Sequence, residues 1–333
     1  MISKQTLQDA VELKLLQPDQ LEPLFTFLNN TGHQPIKTKG ESNESIRFVR
    51  SFGDVFISLG IFLLAYAVTL TSISNVQYFI PVLFFIAIAE WLVRIRQLIL
   101  PGIALLLSIL FFSYQALSLD YKSDSFYGIA IFSAISLLFY LRYRMPFSIF
   151  PFTLGMVALV INQLGVDVFQ QPIILSVIGL IVFAVAMSFD VRDTKRQSHL
   201  SETAFWLHLI ASPLMVHGIM VSLLLTDLEW LRGIPFEIFI LFFFSVFFLL
   251  ALLVDRRAMI ISTQLYVLYA ITQLLQNQLS NTENILTIVL FALALFVIIS
   301  GTYWYKFRNL IFGFLSTSTI SHYLPSFALT DHS

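Results

Sequence analysis

Ten apolar stretches follow one another along this chain, separated by short polar breaks. They run at about 54–71, 78–93, 98–117, 126–141, 146–164, 172–189, 203–225, 235–254, 258–276 and 285–305. A bilayer core of roughly 30 Å needs about 20 apolar residues in helix, and each stretch approaches that length. No segment alternates polar and apolar residues over the length of a membrane strand. The pattern predicts an all-α fold: a polytopic transmembrane helical bundle of about ten spans, occupying residues 51–306.

The flanks read differently. In residues 1–30, Leu7, Val11 and Leu15 recur every four positions. Pro18 then suits the first turn of a second helix with Leu21, Leu24, Phe25 and Leu28 on one face. The expectation is a small cytosolic helical hairpin. Residues 31–50 hold Gly32, Pro35 and Gly40 among Ser, Thr and Lys and read as a flexible tether. Residues 307–333 are only moderately apolar, interrupted at Ser316 to Thr319 and stopped at Pro325, which predicts an interfacial segment or one packed on the bundle.

Charge changes the picture most. Of 333 residues, 57% are hydrophobic and 12% charged, about half the charged share of a soluble domain, which excludes an ordinary soluble globule. Basic residues mark the cytoplasmic side. Every second loop carries them: Arg94 and Arg96, Arg142 and Arg144, Arg192 with Lys195 and Arg196, Arg256 and Arg257, Lys306 and Arg308. With six more before the first span, 17 of the 19 fall on one side, leaving only Lys122 and Arg232 on the other. This predicts a multi-pass membrane protein with both termini cytoplasmic. It also places nearly all charge at loops and ends and almost none at depth. A net charge of −1 gives no support for a nucleic-acid partner, so none is expected, and zero cysteines remove disulfides and thiolate metal sites.

Few residues suggest chemistry. Glu90 and Arg94 are spaced for an i, i+4 ion pair near the cytoplasmic boundary. The seventh span holds His208, Pro213 and His217. Nine residues of helix put the two histidines on opposite faces, so they cannot share a metal unless Pro213 unwinds the segment. The ninth span carries a polar stripe, Ser262, Tyr266, Tyr269, Gln273 and Gln276, at spacings of 4, 3, 4 and 3. That stripe either packs through hydrogen bonds or lines a wet path, and Ser133, Ser136, Tyr140 and Tyr143 of the fourth span form a shorter one that would oppose it. There is no glycine-rich phosphate loop, His-Glu-x-x-His or Gly-x-Ser-x-Gly motif, so no catalytic residue, metal or cofactor is expected.

The helical pair from Leu7 to Leu28, the polar tether, Phe52-Gly53-Asp54 with Leu59-Gly60-Ile61, and a tail with Trp304, Arg308 and Leu324-Pro325 carry a resemblance. Together they resemble a bacterial family of polytopic membrane proteins without an established activity. The resemblance implies a small membrane-anchored protein, named for a Gly-Asp-Tyr motif, as a partner beside the lipid bilayer. The expected function is a non-enzymatic accessory or interaction component. The alternatives are a small-solute transporter of the ten-span drug/metabolite carrier type and, least favoured, a membrane enzyme acting on lipid.

Overall fold

The computed structural model describes residues 7–8, 11–12, 16–30, 51–71, 74–117, 125–165, 167, 170–196, 198–225, 236–278, 284–319 and 323–325, with the side chains of 27–30, 125, 224, 277–278 and 317 excepted. The expected tether, 31–50, lies outside them. The chain divides into two compact units, Met1–Asn43 and Glu44–Ser333. In the first unit, Leu7, Gln8, Val11 and Glu12 are helical. A 3-10 turn at Pro18–Gln20 leads into α1, Leu21–Asn30. Proline opens that turn because its missing N–H needs no partner there, and Gln20 Oε1 accepts from the Gln17 N–H at 3.2 Å.

The second unit is helical throughout its described length, without strands. Its helices are α2 Phe52–Thr69, α3 Phe79–Ala89, α4 Ile99–Leu117, α5 Ser125–Tyr143, α6 Ile149–Leu164, α7 Ile173–Arg192, α8 His199–Leu225, α9 Phe236–Val254, α10 Ala258–Ile261, α11 Gln264–Gln278, α12 Ile285–Thr302 and α13 Trp304–Phe312. The last turn of α3 continues as a π-helix, Glu90–Ile95. Among the described residues, nine helical segments are long and apolar enough to cross a membrane. The protein is an integral, multi-pass membrane protein.

The expected stretch 258–276 differs from the other nine, because it is broken into α10 and α11 at Ser262 and Thr263. Thr263 Oγ1 donates to the Ile260 carbonyl at 2.7 Å, and Ser212 Oγ of α8 donates to the Met259 carbonyl at 2.6 Å. Side-chain hydroxyls that occupy backbone acceptors compete with the helical ladder. The lower half, α11, is also rich in glutamine and shorter than a span.

Two helices sit at the centre. Of an 18-residue window, 61% is buried in α4 and 56% in α8, against 17% in α2, α5 and α12. Around α4, Phe85, Leu105, Leu106, Ile109 and Phe112 form one core. Ile178, Val182, Ala186, Leu207 and Ile210 join α7 to α8, and Met220, Ile240, Leu252, Met259 and Trp304 form the core of the C-terminal part.

Glycine makes the α7–α8 pair tight. A Cβ on Gly218 would meet the Ser176 backbone nitrogen at 2.6 Å and the Pro172 carbonyl at 2.7 Å, and one on Gly179 would meet the Met215 nitrogen at 2.8 Å. Backbone cannot yield as a side-chain end can, so Gly218→Ala must push the helices apart. We expect a loss of about 1–3 kcal/mol in detergent-driven unfolding of the purified protein. Gly60→Ala is the control: nothing lies within 4 Å of that Cβ, and alanine there should be neutral or stabilising by about 0.5–1 kcal/mol. Equal losses in both would refute the packing argument.

Candidate functional site

At the ends of α7 and α9, five charged side chains and a histidine are shut away from solvent. Asp190, in the last turn of α7, is 1% exposed. Its Oδ2 lies 2.9 Å from Nε2 of His208 on α8 and accepts from Arg256 Nε at 3.2 Å. Arg256 Nη2 donates to Asp190 Oδ1 and, at 3.0 Å, to the Ser201 carbonyl. The His208 ring meets Phe183 edge-on at 5.2 Å.

The neighbouring residue builds a second pair. Arg196 Nη1 donates to Asp255 Oδ2 at 2.8 Å, while its Nη2 donates to the carbonyls of Val254 and Asp255 at 3.2 and 2.7 Å. Trp304 Nε1 donates to Asp255 Oδ1 at 2.6 Å. Arg308 of α13 donates from Nε to the Leu252 carbonyl at 3.0 Å and from Nη2 to the Pro325 carbonyl at 2.8 Å. Burial pulls the Arg308 guanidinium pKa down from its ordinary value, and the nearby Asp255 carboxylate opposes that shift.

Asp255 and Arg256 diverge because the chain turns sharply at the end of α9. Asp255 has φ 58° and Arg196 has φ 52°, left-handed values that side chains seldom adopt. Aspartate tolerates this region better than most residues. The turn sends adjacent side chains to separate partners, so α7, α8, α9 and α13 are tied at one end.

This corrects the expectation of a bundle with almost no buried charge. The charges do lie at helix ends, yet neighbouring helices cover them. Asp54 follows the same rule: it starts α2, is 3% exposed, and accepts from Ser51 Oγ at 3.1 Å. The tail is packed as well, with Trp304, Arg308, Leu324 and Pro325 buried.

The other sequence candidates are dispersed. Glu90 and Arg94 meet at 3.3 Å, but Glu90 also accepts a two-pronged interaction from Arg142, at 2.8 and 3.0 Å, and one from Tyr143 at 3.1 Å. Pro213 lies within α8 without ending it and is exposed. His217 is exposed and its Nδ1 is 2.5 Å from Tyr266 Oη, so the two histidines have separate partners. Along the stripe, Ser262, Tyr266 and Gln273 are half-buried, while Tyr269 and Gln276 are exposed. The space bounded by Val216, Met220, Ile240, Phe243, Phe244, Thr263 and Tyr266 admits no water-sized sphere. The fourth-span stripe does not oppose this one at Ser133, which packs on Gly155 of α6. No group of three His, Asp or Glu side chains among the described residues is placed to hold a metal.

Arg142, Arg196 and Arg256 entered the sequence reading only as loop charges, and Asp190 and Asp255, at span ends beside such loops, were not singled out. The available signal was Asp190 following Phe189 inside an otherwise apolar helix, and Asp255 beside two arginines with no loop residues to spare. No protein-family model, curated protein or solved structure matches the chain.

Proposed function

We propose that this protein is a non-enzymatic accessory component of a bacterial inner membrane, acting through its N-terminal segment and the surface of its bundle. The observation that carries this reading is the buried network. Its carboxylates and guanidiniums are engaged with one another, with Trp304 and with backbone carbonyls, an arrangement that fixes helices. We count α10 and α11 together as one crossing, giving ten, with both termini cytoplasmic. The basic side chains support that orientation, 17 against 2. The partner we propose is the small membrane-anchored protein implied by the family resemblance.

The test is co-purification of the tagged full chain with that protein after co-expression, alongside a chain lacking residues 1–46. Retention by the full chain and loss on truncation are expected. Failure of the full chain to retain it overturns the partner. Labelling of either terminus from the outer face overturns the orientation.

The interruption at Ser262 and Thr263 favours a second reading, a solute path along α11, because discontinuous helices offer free backbone groups at membrane depth. Solute uptake that is lost on gene deletion, restored by wild type and not by Gln273→Leu would replace the accessory reading with this one.

A further inference from the structure

We infer that the π-helical end of α3 and the end of α5 form a binding surface for the head group of an anionic glycerophospholipid. The two helices leave the bundle together because Glu90 joins them, accepting from Arg142 Nε and Nη2 at 2.8 and 3.0 Å, Tyr143 Oη at 3.1 Å and Arg94 Nη1 at 3.3 Å. Arg96 and Arg144 follow directly in the chain and are exposed. Two guanidiniums are thus held on a single carboxylate, and another follows two residues further along each segment, four cations against that one carboxylate at the ends of the two segments. The paired arginines are not enclosed, since the side chains of Arg94 and Arg142 are 57% and 50% exposed.

The backbone holds this arrangement in a fixed form. Gln97 and Arg144 have φ 54° and 50°, so each exit turn bends in the left-handed region. The Arg144 N–H donates to the Tyr140 carbonyl at 2.7 Å and closes the end of α5. Gly102 lies against both exits, since a Cβ there would meet the Met145 sulfur at 2.8 Å and Val93 Cγ2 at 3.1 Å, so the two exits pack on the same residue of α4.

What lies next to the cations decides the partner. Trp91 is 53% exposed and Ile95 71% exposed, and the Arg96 guanidinium lies 5.8 Å from the centre of the Trp91 ring. A tryptophan and an aliphatic side chain left bare beside arginines at a span end match the layer where acyl chains meet head groups. Guanidiniums bind phosphate through paired N–H groups, and an anionic lipid surface attracts such clusters. A free phosphate would use the cations but leave the apolar part of the surface uncovered. A phospholipid satisfies both.

The experiment follows the thermal midpoint of the full chain in neutral detergent as cardiolipin is added, with phosphatidylcholine at equal chain concentration and inorganic phosphate at equal phosphate concentration as comparisons. Cardiolipin is expected to raise the midpoint at least twice as much as phosphatidylcholine, and inorganic phosphate to leave it unchanged. The double substitution Arg96→Gln with Arg144→Gln should remove at least half of the cardiolipin-specific rise, while lysine at both positions should retain most of it. Glu90→Gln frees Arg94 and Arg142 from their carboxylate and should enlarge the lipid response, even if the starting midpoint falls. Equal rises with both lipids, a rise reproduced by inorganic phosphate, an undiminished response in the Gln double variant, or a smaller response in Glu90→Gln each overturn the proposal.

Discussion

Replacing Asp255 by asparagine is expected to destabilise the protein by about 3–5 kcal/mol, the range for breaking one side of a buried ion pair. The carboxylate receives Arg196 on one oxygen and Trp304 on the other. An amide has one oxygen, so one of those donors must face the NH2 group. Whichever donor keeps the oxygen, Arg196 is then a buried cation without its carboxylate, still donating to the carbonyls of Val254 and Asp255. Asparagine is the informative choice because it tolerates the φ of 58°, which separates loss of charge from backbone strain. Asp255→Ala should be worse, since the same charge is lost and the left-handed turn adds about 1–2 kcal/mol. The compensated variant Asp255→Asn with Arg196→Met removes the stranded cation and should recover much of the loss. Unfolding in mixed micelles by rising SDS measures all three. A single variant as stable as wild type, or a double variant worse than the sum of the two singles, would mean that the pair does not hold the helix ends.

Arg256→Met is the second large effect, again about 3–5 kcal/mol. It strips Asp190 of its guanidinium and leaves a carboxylate 1% exposed with His208 as its remaining charged-capable partner. Asp190→Asn does the converse, removing the carboxylate from Arg256, which still donates to the Ser201 carbonyl and hydroxyl. The pair Asp190→Leu with Arg256→Met should cost clearly less than the two single changes added together, because residues in one network are not independent. The same set separates two views of the network. If Arg256→Met lowers stability and partner retention in parallel, the network is a structural tie. If stability is unchanged while solute uptake disappears, the charges take part in transport and the accessory reading fails.

These variants bear on the half of the protein where sequence and structure part company. The spans were legible because hydropathy over eighteen or more residues is a long, redundant signal, and packing can move its ends but not erase it. Nine of the ten expected stretches form apolar helices of spanning length. The exception, 258–276, shows the limit of that signal. Its composition reads as continuous, yet a hydroxyl from α8 and one from its own next turn occupy the carbonyls of Met259 and Ile260. Only the position of Ser212 makes that break intelligible.

The candidate residues divide on the same principle. Glu90 and Arg94 are one turn apart on one helix, so their approach is a local property that spacing reveals. Arg142, the stronger partner of Glu90, lies 52 residues away, and nothing local announces it. His208 was noticed as an ionisable group within a span, but its partner Asp190 comes from the preceding helix, and Arg256, which shares that carboxylate, from beyond the following one. The polar stripe reads from spacing as one helical face, but its first member, Ser262, falls at the break before α11. Whether that face is covered depends on neighbours, and it is half-buried at Tyr266 and exposed at Tyr269.

By itself, the sequence determined the fold class, the rough position of nine of the apolar helices, and the gathering of basic residues in alternate loops. All of these follow from each residue's own solvation free energy summed along short windows. The tertiary structure alone decided that charges at helix ends are buried, which helices they join, and where one helix breaks. Those outcomes depend on pairs dozens of residues apart, whose energies exist only once α7, α8, α9 and α13 have come together.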